Sequence, residues 1–387
     1  MCQEQPGSQT AAAGATAGRA GTNIVEIDFK SDPRWDGFVA DHPDGLVYHH
    51  SRWLGALERE YGQTALALAY EDADHQLRGV LPLMYTRGLP LGLGGGGAAR
   101  RLSSLPRTPV AGPLALDTRT TAALLEAALV RVHERPGTRL QVKTQGQIND
   151  VPAQLGGAPW RVSYALRLPS DPKDLRFGNS RNHARIKWAV QKAERHGVLV
   201  RHAESVNDLR IWYRLYLDVN RWHGLPPRPY RFFEAAWEVL RPAGLMRLLL
   251  AEQMVDGKRR VLAGSMFLMF GSTVTYAFNA RLREGLSLRP NDALQWRAVH
   301  DACAEGFRWY DLGEVGEGNV GLAGFKAKWG AEPRQLYRYQ HPPPSDSSSG
   351  YGALEANGRV QHALRAVWRR IPLRATEWAG DFLYRYL

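Results

Sequence analysis

Between Tyr310 and Pro333 the chain sets Asp311, Glu314 and Glu317 among Gly313, Gly316 and Gly318, and follows them with Lys326, Lys328 and Trp329. A carboxylate can relieve an attacking amine of its proton, and an ammonium group or backbone amide can stabilise an oxyanion. These residue types are therefore the equipment for acyl transfer to an amine. Asp311 or Glu314 is the candidate base, acting directly or through water. Lys326 or Lys328, with amides of the glycine segment, is the candidate oxyanion partner. Glycine opens turn conformations that other residues avoid, so a substrate could approach this backbone closely. A plain polar turn has the same composition, with Asp311 capping the turn and both lysines at the surface. Aminolysis of an activated ester needs little acid–base help, so positioning carries much of the rate.

The positioning elements follow from hydrophobic periodicity. Trp309 to Gly313 reads as a strand leading into the glycine turn, and Thr273 to Ala280 as another that presents Tyr276 and Asn279 as substrate contacts. Pro290 and Asn291 start a helix over Asn291 to Glu305, whose free amides suit an anion. A further helix spans Asn179 to His196. On it Arg181, Arg185, Trp188, Lys192 and Arg195 share one stripe, with Ile186, Ala189, Val190 and Ala193 opposite. Four cations and an indole on an exposed face can hold a phosphate-bearing carrier, and Arg181, Arg185 and Lys192 are substrate-binding candidates with Trp329. The plain alternative is a solvated helix face.

Further helices are expected at Ser51 to Tyr61, Ser205 to Trp222 and Tyr230 to Leu240. Strands are expected at Asn23 to Phe29, Ala65 to Glu71, Leu77 to Tyr85, Val198 to His202, Met246 to Glu252, Val261 to Phe270 and Leu336 to Gln340. Helices interleaved with runs of strands predict an α/β (α+β) fold with mixed central sheets flanked by helices. The hairpin around Leu68-Ala69 and Gly79-Val80-Leu81-Pro82-Leu83 echoes Leu250-Ala251 and Gly264-Ser265-Met266-Phe267-Leu268, which fits two similar domains in tandem. The expected boundaries are a leader at 1–22, a first domain at 23–170, a second at 171–341, a Pro/Ser linker at 342–350 and a helical tail at 351–387. In the tail Val360, Leu364, Val367, Trp368 and Ile371, then Trp378, Phe382, Leu383 and Tyr386, alternate with arginines. That pattern suits the headgroup layer of an anionic leaflet, or else a helix pair packed on the second domain.

The chain has 387 residues, enough for two domains at roughly 150 residues each. Its net charge of +12 favours an anionic partner. Two cysteines, Cys2 and Cys303, make neither a disulfide framework nor a metal site and fit a reducing compartment, and Cys303 falls on the apolar stripe of a helix. The leader lacks the basic start and apolar run of a signal peptide, so a cytoplasmic protein, peripheral at the inner face of the plasma membrane, is expected. Gly92, Gly94 and Gly97 match a dinucleotide-binding spacing, but no helix start and no acid follow at the required distances. No G-x-S-x-G occurs, and His49-His50 has no further ligand at metal spacing.

Asp311-Leu312-Gly313 and Gly321-Leu322-Ala323-Gly324-Phe325-Lys326-Ala327-Lys328-Trp329-Gly330-Ala331 resemble the closing blocks of FemAB-like proteins, a branch of the GNAT acyltransferase superfamily. Arg181-Asn182-His183-Ala184-Arg185-Ile186-Lys187, Pro226-Pro227-Arg228-Pro229-Tyr230-Arg231-Phe232-Phe233 and Leu288-Arg289-Pro290-Asn291-Asp292 are similar to further blocks. The likeness covers residues 24 to 340 and is strongest after 170. It implies tandem GNAT-like domains and an N-acyltransferase acting on an amine of a cell-envelope or polysaccharide precursor. The implied co-substrate is acyl-coenzyme A. The segment Gly285 to Asn291 lacks the paired glycines of the usual coenzyme A pyrophosphate loop. That leaves open charged tRNA, the donor of the family's peptidoglycan-bridge members, and also a non-catalytic binding protein that kept the fold.

Overall fold

The computed structural model describes residues 23–88, 100–343 and 368–384. The leader, the glycine segment around Gly92 to Gly97, most of the linker and residues 351–367 and 385–387 of the tail lie outside the described residues. In chain order the strands are β1 (Ile24–Glu26), β2 (Ala65–Glu71), β3 (Leu77–Thr86), β4 (Arg101–Ser103), β5 (Leu114–Ala115), β6 (Arg139–Thr144), β7 (Gly156–Arg167), β8 (Leu199–His202), β9 (Met246–Val255), β10 (Lys258–Phe270), β11 (Thr273–Arg281), β12 (Trp309–Val315) and β13 (Glu332–His341). The helices are α1 (Pro33–Asp41), α2 (Ser51–Tyr61), α3 (Thr118–His133), α4 (Ser180–Arg195), α5 (Val206–His223), α6 (Tyr230–Val239), α7 (Pro290–Ala304), α8 (Val320–Lys328) and a tail helix α9 (Leu373–Leu383).

One sheet runs through both halves in the order β1-β2-β3-β4-β6-β13-β7-β12-β11-β10-β9-β8, with β5 on β3. The order is a repeat. β1-β2-β3-β4 is antiparallel and ends in β4 parallel to β6 across the α3 crossover; β8-β9-β10-β11 is antiparallel and ends in β11 parallel to β12 across α7. Each parallel contact is three pairs long, Arg101 to Ser103 on Arg139 to Gln141 and Thr273 to Thr275 on Trp309 to Asp311. The last strand of each half is exchanged: β7 lies on β12, β13 lies on β6, and β7 and β13 pair with each other. The hairpin echo in the sequence thus reflects a repeated strand order.

Apolar side chains build three cores. One lies under α1, α2, α5 and α6, one between α4, α7 and the second-half strands, and one under α3. Helix ends carry the expected side-chain caps: Asn179 accepts from the Asn182 amide, and Ser205 and Asp208 form a reciprocal capping box. Between the halves the Glu60 carboxylate at the end of α2 accepts from Arg228 Nε at 2.8 Å and Nη2 at 2.6 Å, and both side chains are buried. Arg228 also lies 3.6 Å over the Phe232 ring, and Arg231 donates to the Glu60 carbonyl at 2.7 Å.

Two segments go beyond the expectations from sequence. The segment Val320 to Lys328, to which no element was assigned, is a helix capped by Asn319, whose side chain accepts from the Leu322 amide. Gly321 and Gly324 lower its propensity, but Leu322, Ala323, Phe325 and Ala327 are helix-compatible and its last turn is anchored by buried Lys326. The described part of the tail is not detached from the body. α9 packs on α5, its Asp381 pairs with Arg231, Gly380 abuts Pro227, and buried Tyr384 sits under Arg107.

Candidate acyl-transfer site

β11 and β12 diverge after Thr275 and Asp311. β11 continues to Arg281 on β10 with a bulge at Ala277, which is inserted between the Tyr276–Phe267 and Phe278–Met266 pairs. β12 turns towards β7, where its register slips between Asp311 and Glu314. A bulge beside a widening gap frees backbone groups and re-aims side chains. Gly313 makes the turn at φ +79°; a Cβ there would lie 3.5 Å from the Tyr276 carbonyl and 3.8 Å from Lys326 Nζ.

Charged groups gather at this turn. Asp311 Oδ1 accepts from the Gly313 amide at 2.7 Å and from the Ser163 hydroxyl at 2.9 Å. Burial raises its pKa above the ordinary carboxylate value, against the pull of those hydrogen bonds and of Lys326. Glu314 Oε1 accepts from Arg161 at 2.5 Å, while its Oε2 is buried with no partner among the described residues. Lys326 Nζ donates to the Gly313 and Glu314 carbonyls, each at 2.8 Å. Burial pulls this amine down to about 8, opposed by Asp311 and Glu314. Arg161 and Ser163 come from β7, so the exchanged strand of the first half completes a turn of the second. Buried Tyr48 has its pKa raised mainly by burial and then by the charges of Asp311 and Glu314.

Along the gap, Asn279 Nδ2 donates to Ser265 Oγ at 3.0 Å and to Asn291 Oδ1 at 3.2 Å. Tyr310 donates to Gln295 Oε1 at 2.5 Å; burial pushes Tyr276 up to about 12, against the opposing pull of Ser265 and Gln295. Gln295 Nε2 is buried without a partner among the described residues. Tyr276, Asn279 and Asn291 therefore belong to one polar network between β11 and α7, together with Ser265, Gln295 and Tyr310.

Residues 180–327 match the family model of the acetyltransferase (GNAT) domain. The diverging strands β11 and β12 and the intervening α7 all lie within these residues. The fold as a whole is similar to that of FemX, at 15% identity and a TM-score of 0.63, over 81% of this chain and 96% of that one. It is similar to L-PGS from Bacillus licheniformis at 12% identity and 0.52, over 88% and 98%, and to a conserved protein of unknown function from Bacteroides thetaiotaomicron at 11% and 0.56, over 83% and 99%. At these identities the likeness concerns the fold. The comparison with curated proteins finds no match.

Against this frame the sequence-derived residues divide into groups. Asp311, Glu314 and Lys326 meet at the Gly313 turn, within the residues that match the family model. Lys328 does not join them: its Nζ pairs with Asp292 at 2.9 Å, in the first turn of α7. The lysines thus serve different elements. Trp329 is buried in the core, edge-on to Phe177 at 5.0 Å, so it packs the domain instead of lining the gap. Gly330 follows because its backbone runs against Gly178, where a Cβ would come within 2.5 Å of the Gly178 amide nitrogen. Arg181 and Arg185 are exposed on α4, without an ion pair among the described residues. Lys192 lies 5.5 Å over the Trp188 ring and Arg289, just before α7, lies 5.6 Å from it. This joins the basic stripe to the α7 N-terminus. That terminus itself begins with Pro290, carries buried Asp292, and has its Asn291 side chain engaged by Asn279.

The first half carries the equivalent short parallel contact. Past Ser103 its loop fills the equivalent divergence of β4 and β6: Ser104 donates its amide to the Gln141 carbonyl at 2.8 Å and its hydroxyl accepts from the Lys143 amide at 2.9 Å. Buried Lys143 donates its Nζ to the Leu105 carbonyl at 3.1 Å and to that of Thr108. Leu105 and Arg107 adopt left-handed backbone conformations in this loop. Tyr48, Lys143, Arg161, Ser163, Ser265 and Gln295 were not legible as site residues. The available signal was a lysine inside the otherwise strand-like run Leu140 to Thr144.

Cys303 is buried and its thiol donates to the Pro169 carbonyl at 2.9 Å, which fits the core reading. No group of His, Cys, Asp and Glu suited to a metal is found among the described residues. No helix among them is long and apolar enough to cross a membrane.

Proposed function

We propose that the protein is an N-acyltransferase that moves an acyl group from acyl-coenzyme A to an amine of a cell-envelope or polysaccharide precursor. The observation that carries the reading is Glu314. One of its oxygens is oriented by Arg161, the other is buried with no partner among the described residues, and its backbone carbonyl accepts from Lys326. A buried carboxylate oxygen without a donor is suited to receive one, and the N–H of an attacking amine is such a donor. Lys326 has three N–H bonds and spends two on the Gly313 and Glu314 carbonyls, which holds the turn and leaves the third for a substrate oxygen. Asp311 fixes the turn from below through Gly313 and Ser163. In the step itself the amine nitrogen bonds to the acyl carbon, Glu314 takes the amine proton, and the carrier sulfur departs with the electron pair of the broken C–S bond. The acyl chain lies between β11 and β12, and the carrier phosphates lie on the face made by Arg181, Arg185, Lys192 and Arg289 around Trp188.

A second reading has charged tRNA as donor. It is favoured by the blocked N-terminus of α7, where Pro290 and Asp292 replace a pyrophosphate-binding loop, and by the length of the basic face. Acyl transfer is tested by thiol release from acetyl-coenzyme A with amino-sugar acceptors. Wild-type turnover, cut at least about 100-fold in Glu314→Gln with an unmoved melting temperature, supports the base assignment. Equal turnover in the variant removes it, and absence of wild-type turnover shifts the reaction to label transfer from charged tRNA.

A further inference from the structure

Exposed aromatic side chains lie on α9 and at the end of α5, the helix on which it packs. Trp378 and Phe382 are 72% and 46% exposed, and their rings stack 6.0 Å apart at 14°. They sit one turn apart in line with exposed Arg374, so the helix shows a stripe of one cation and two aromatics. At the end of α5, on which α9 packs, Trp222 and Leu225 are 45% and 47% exposed. Trp222 lies beneath two guanidinium groups, Arg283 at 3.5 Å and Arg369 at 5.4 Å, and Arg369 also donates to the Trp222 carbonyl. Asp381 is paired with Arg231, and Glu377 is the other acid of the helix.

We infer that this face is a docking surface for an anionic lipid bilayer. Exposed tryptophan, phenylalanine and leucine interleaved with arginine match the interfacial layer, where the rings enter the headgroup region and the guanidinium groups meet lipid phosphates. The opposite side of α9 holds the stripe in place: Thr376 is fully buried, a Cβ on Gly380 would lie 2.7 Å from the Pro227 carbonyl, and Tyr384 is buried under Arg107. The aromatic pair is therefore presented by a folded, docked helix that does not have to form on contact. The net charge of +12 supplies long-range attraction to the same surface. This contact is independent of the reaction proposed above.

The test is co-sedimentation of the full chain with vesicles of phosphatidylcholine alone or with about one-third phosphatidylglycerol, at low and high salt. The expected result is binding to the anionic vesicles only, weakened by salt and at least about tenfold weaker in Trp378→Ala/Phe382→Ala, whose melting temperature stays at the wild-type value because both rings are exposed. Trp222→Ala weakens it further. Absence of binding to the anionic vesicles, or equal binding by the double variant, overturns the inference. A change of the double variant from dimer to monomer in sedimentation velocity also overturns it, because the face would then be a contact between copies of this chain.

Discussion

Replacing Glu60 by methionine removes one member of the buried pair that joins α2 to the segment leading into α6. The Arg228 guanidinium then keeps its charge in a place where it is 2% exposed, with no carboxylate to balance it. Breaking one side of such a pair costs about 3–5 kcal/mol, because the remaining ion is desolvated without compensation. With an unfolding entropy of about 2.1 cal/mol/K per residue, a chain of this length loses roughly 4–6 °C of melting temperature. Arg228→Met is expected to cost a similar amount by leaving the carboxylate alone. The double variant recovers most of the loss, since two apolar side chains of similar volume fill the same space among Trp53, Phe232 and Phe278. Urea and thermal unfolding followed by near-ultraviolet circular dichroism measure all four corners of the cycle. Single losses below about 1 kcal/mol, or a double variant no more stable than the sum of the two, would refute the reasoning.

Other consequences are equally direct. Burial holds Lys326 at about 8, so if its charge is needed, turnover falls as pH rises through that value; Lys326→Arg keeps the charge and moves the fall upward, and an unmoved limb in a pH–rate profile denies Lys326 this role. Lys143 is held at about 7 by burial, against about 10.4 in the unfolded chain. Between those values the unfolded chain binds more protons, so stability rises with pH, and Lys143→Met should flatten that rise in urea melts from pH 6.5 to 9. Gly330→Ala must adopt φ +80° with its Cβ against the Gly178 backbone and is expected to lose at least about 1–3 kcal/mol by the same melts. Tyr384→Ala empties a buried ring site beneath Arg107 and should lower stability by about 3 kcal/mol; no change would mean that α9 contributes nothing to the body.

Local order was well written in the sequence. The four residues read as the buried side of α4, Ile186, Ala189, Val190 and Ala193, are its buried residues in the fold, because a 3.6-residue apolar period reports burial directly. The β2 and β3 hairpin and the strand carrying Asp311 followed from the same kind of pattern. Long-range pairing left no such trace. Nothing in the run Trp160 to Ser163 signals that β7 crosses into the second half and brings Arg161 and Ser163 to Asp311 and Glu314. Trp329 and Lys328 looked chemical by type, yet one fills a core against Phe177 and the other answers Asp292. Polar and aromatic residues packed into a glycine-rich window do not reveal from spacing alone which of them turn inward. The helix Val320–Lys328 was hidden for a related reason, since its two glycines suppress a propensity that the Asn319 cap and the anchoring of Lys326 restore.

The most direct test of the central claim is a calorimetric titration of the full chain with acetyl-coenzyme A, run beside Trp188→Ala/Lys192→Ala. The account predicts one saturable site per chain, since the first-half divergence is filled by residues 104–111 and held by Lys143, and binding at least about tenfold weaker in the variant. No heat in the wild type, two sites per chain, or equal affinity in the variant would contradict it.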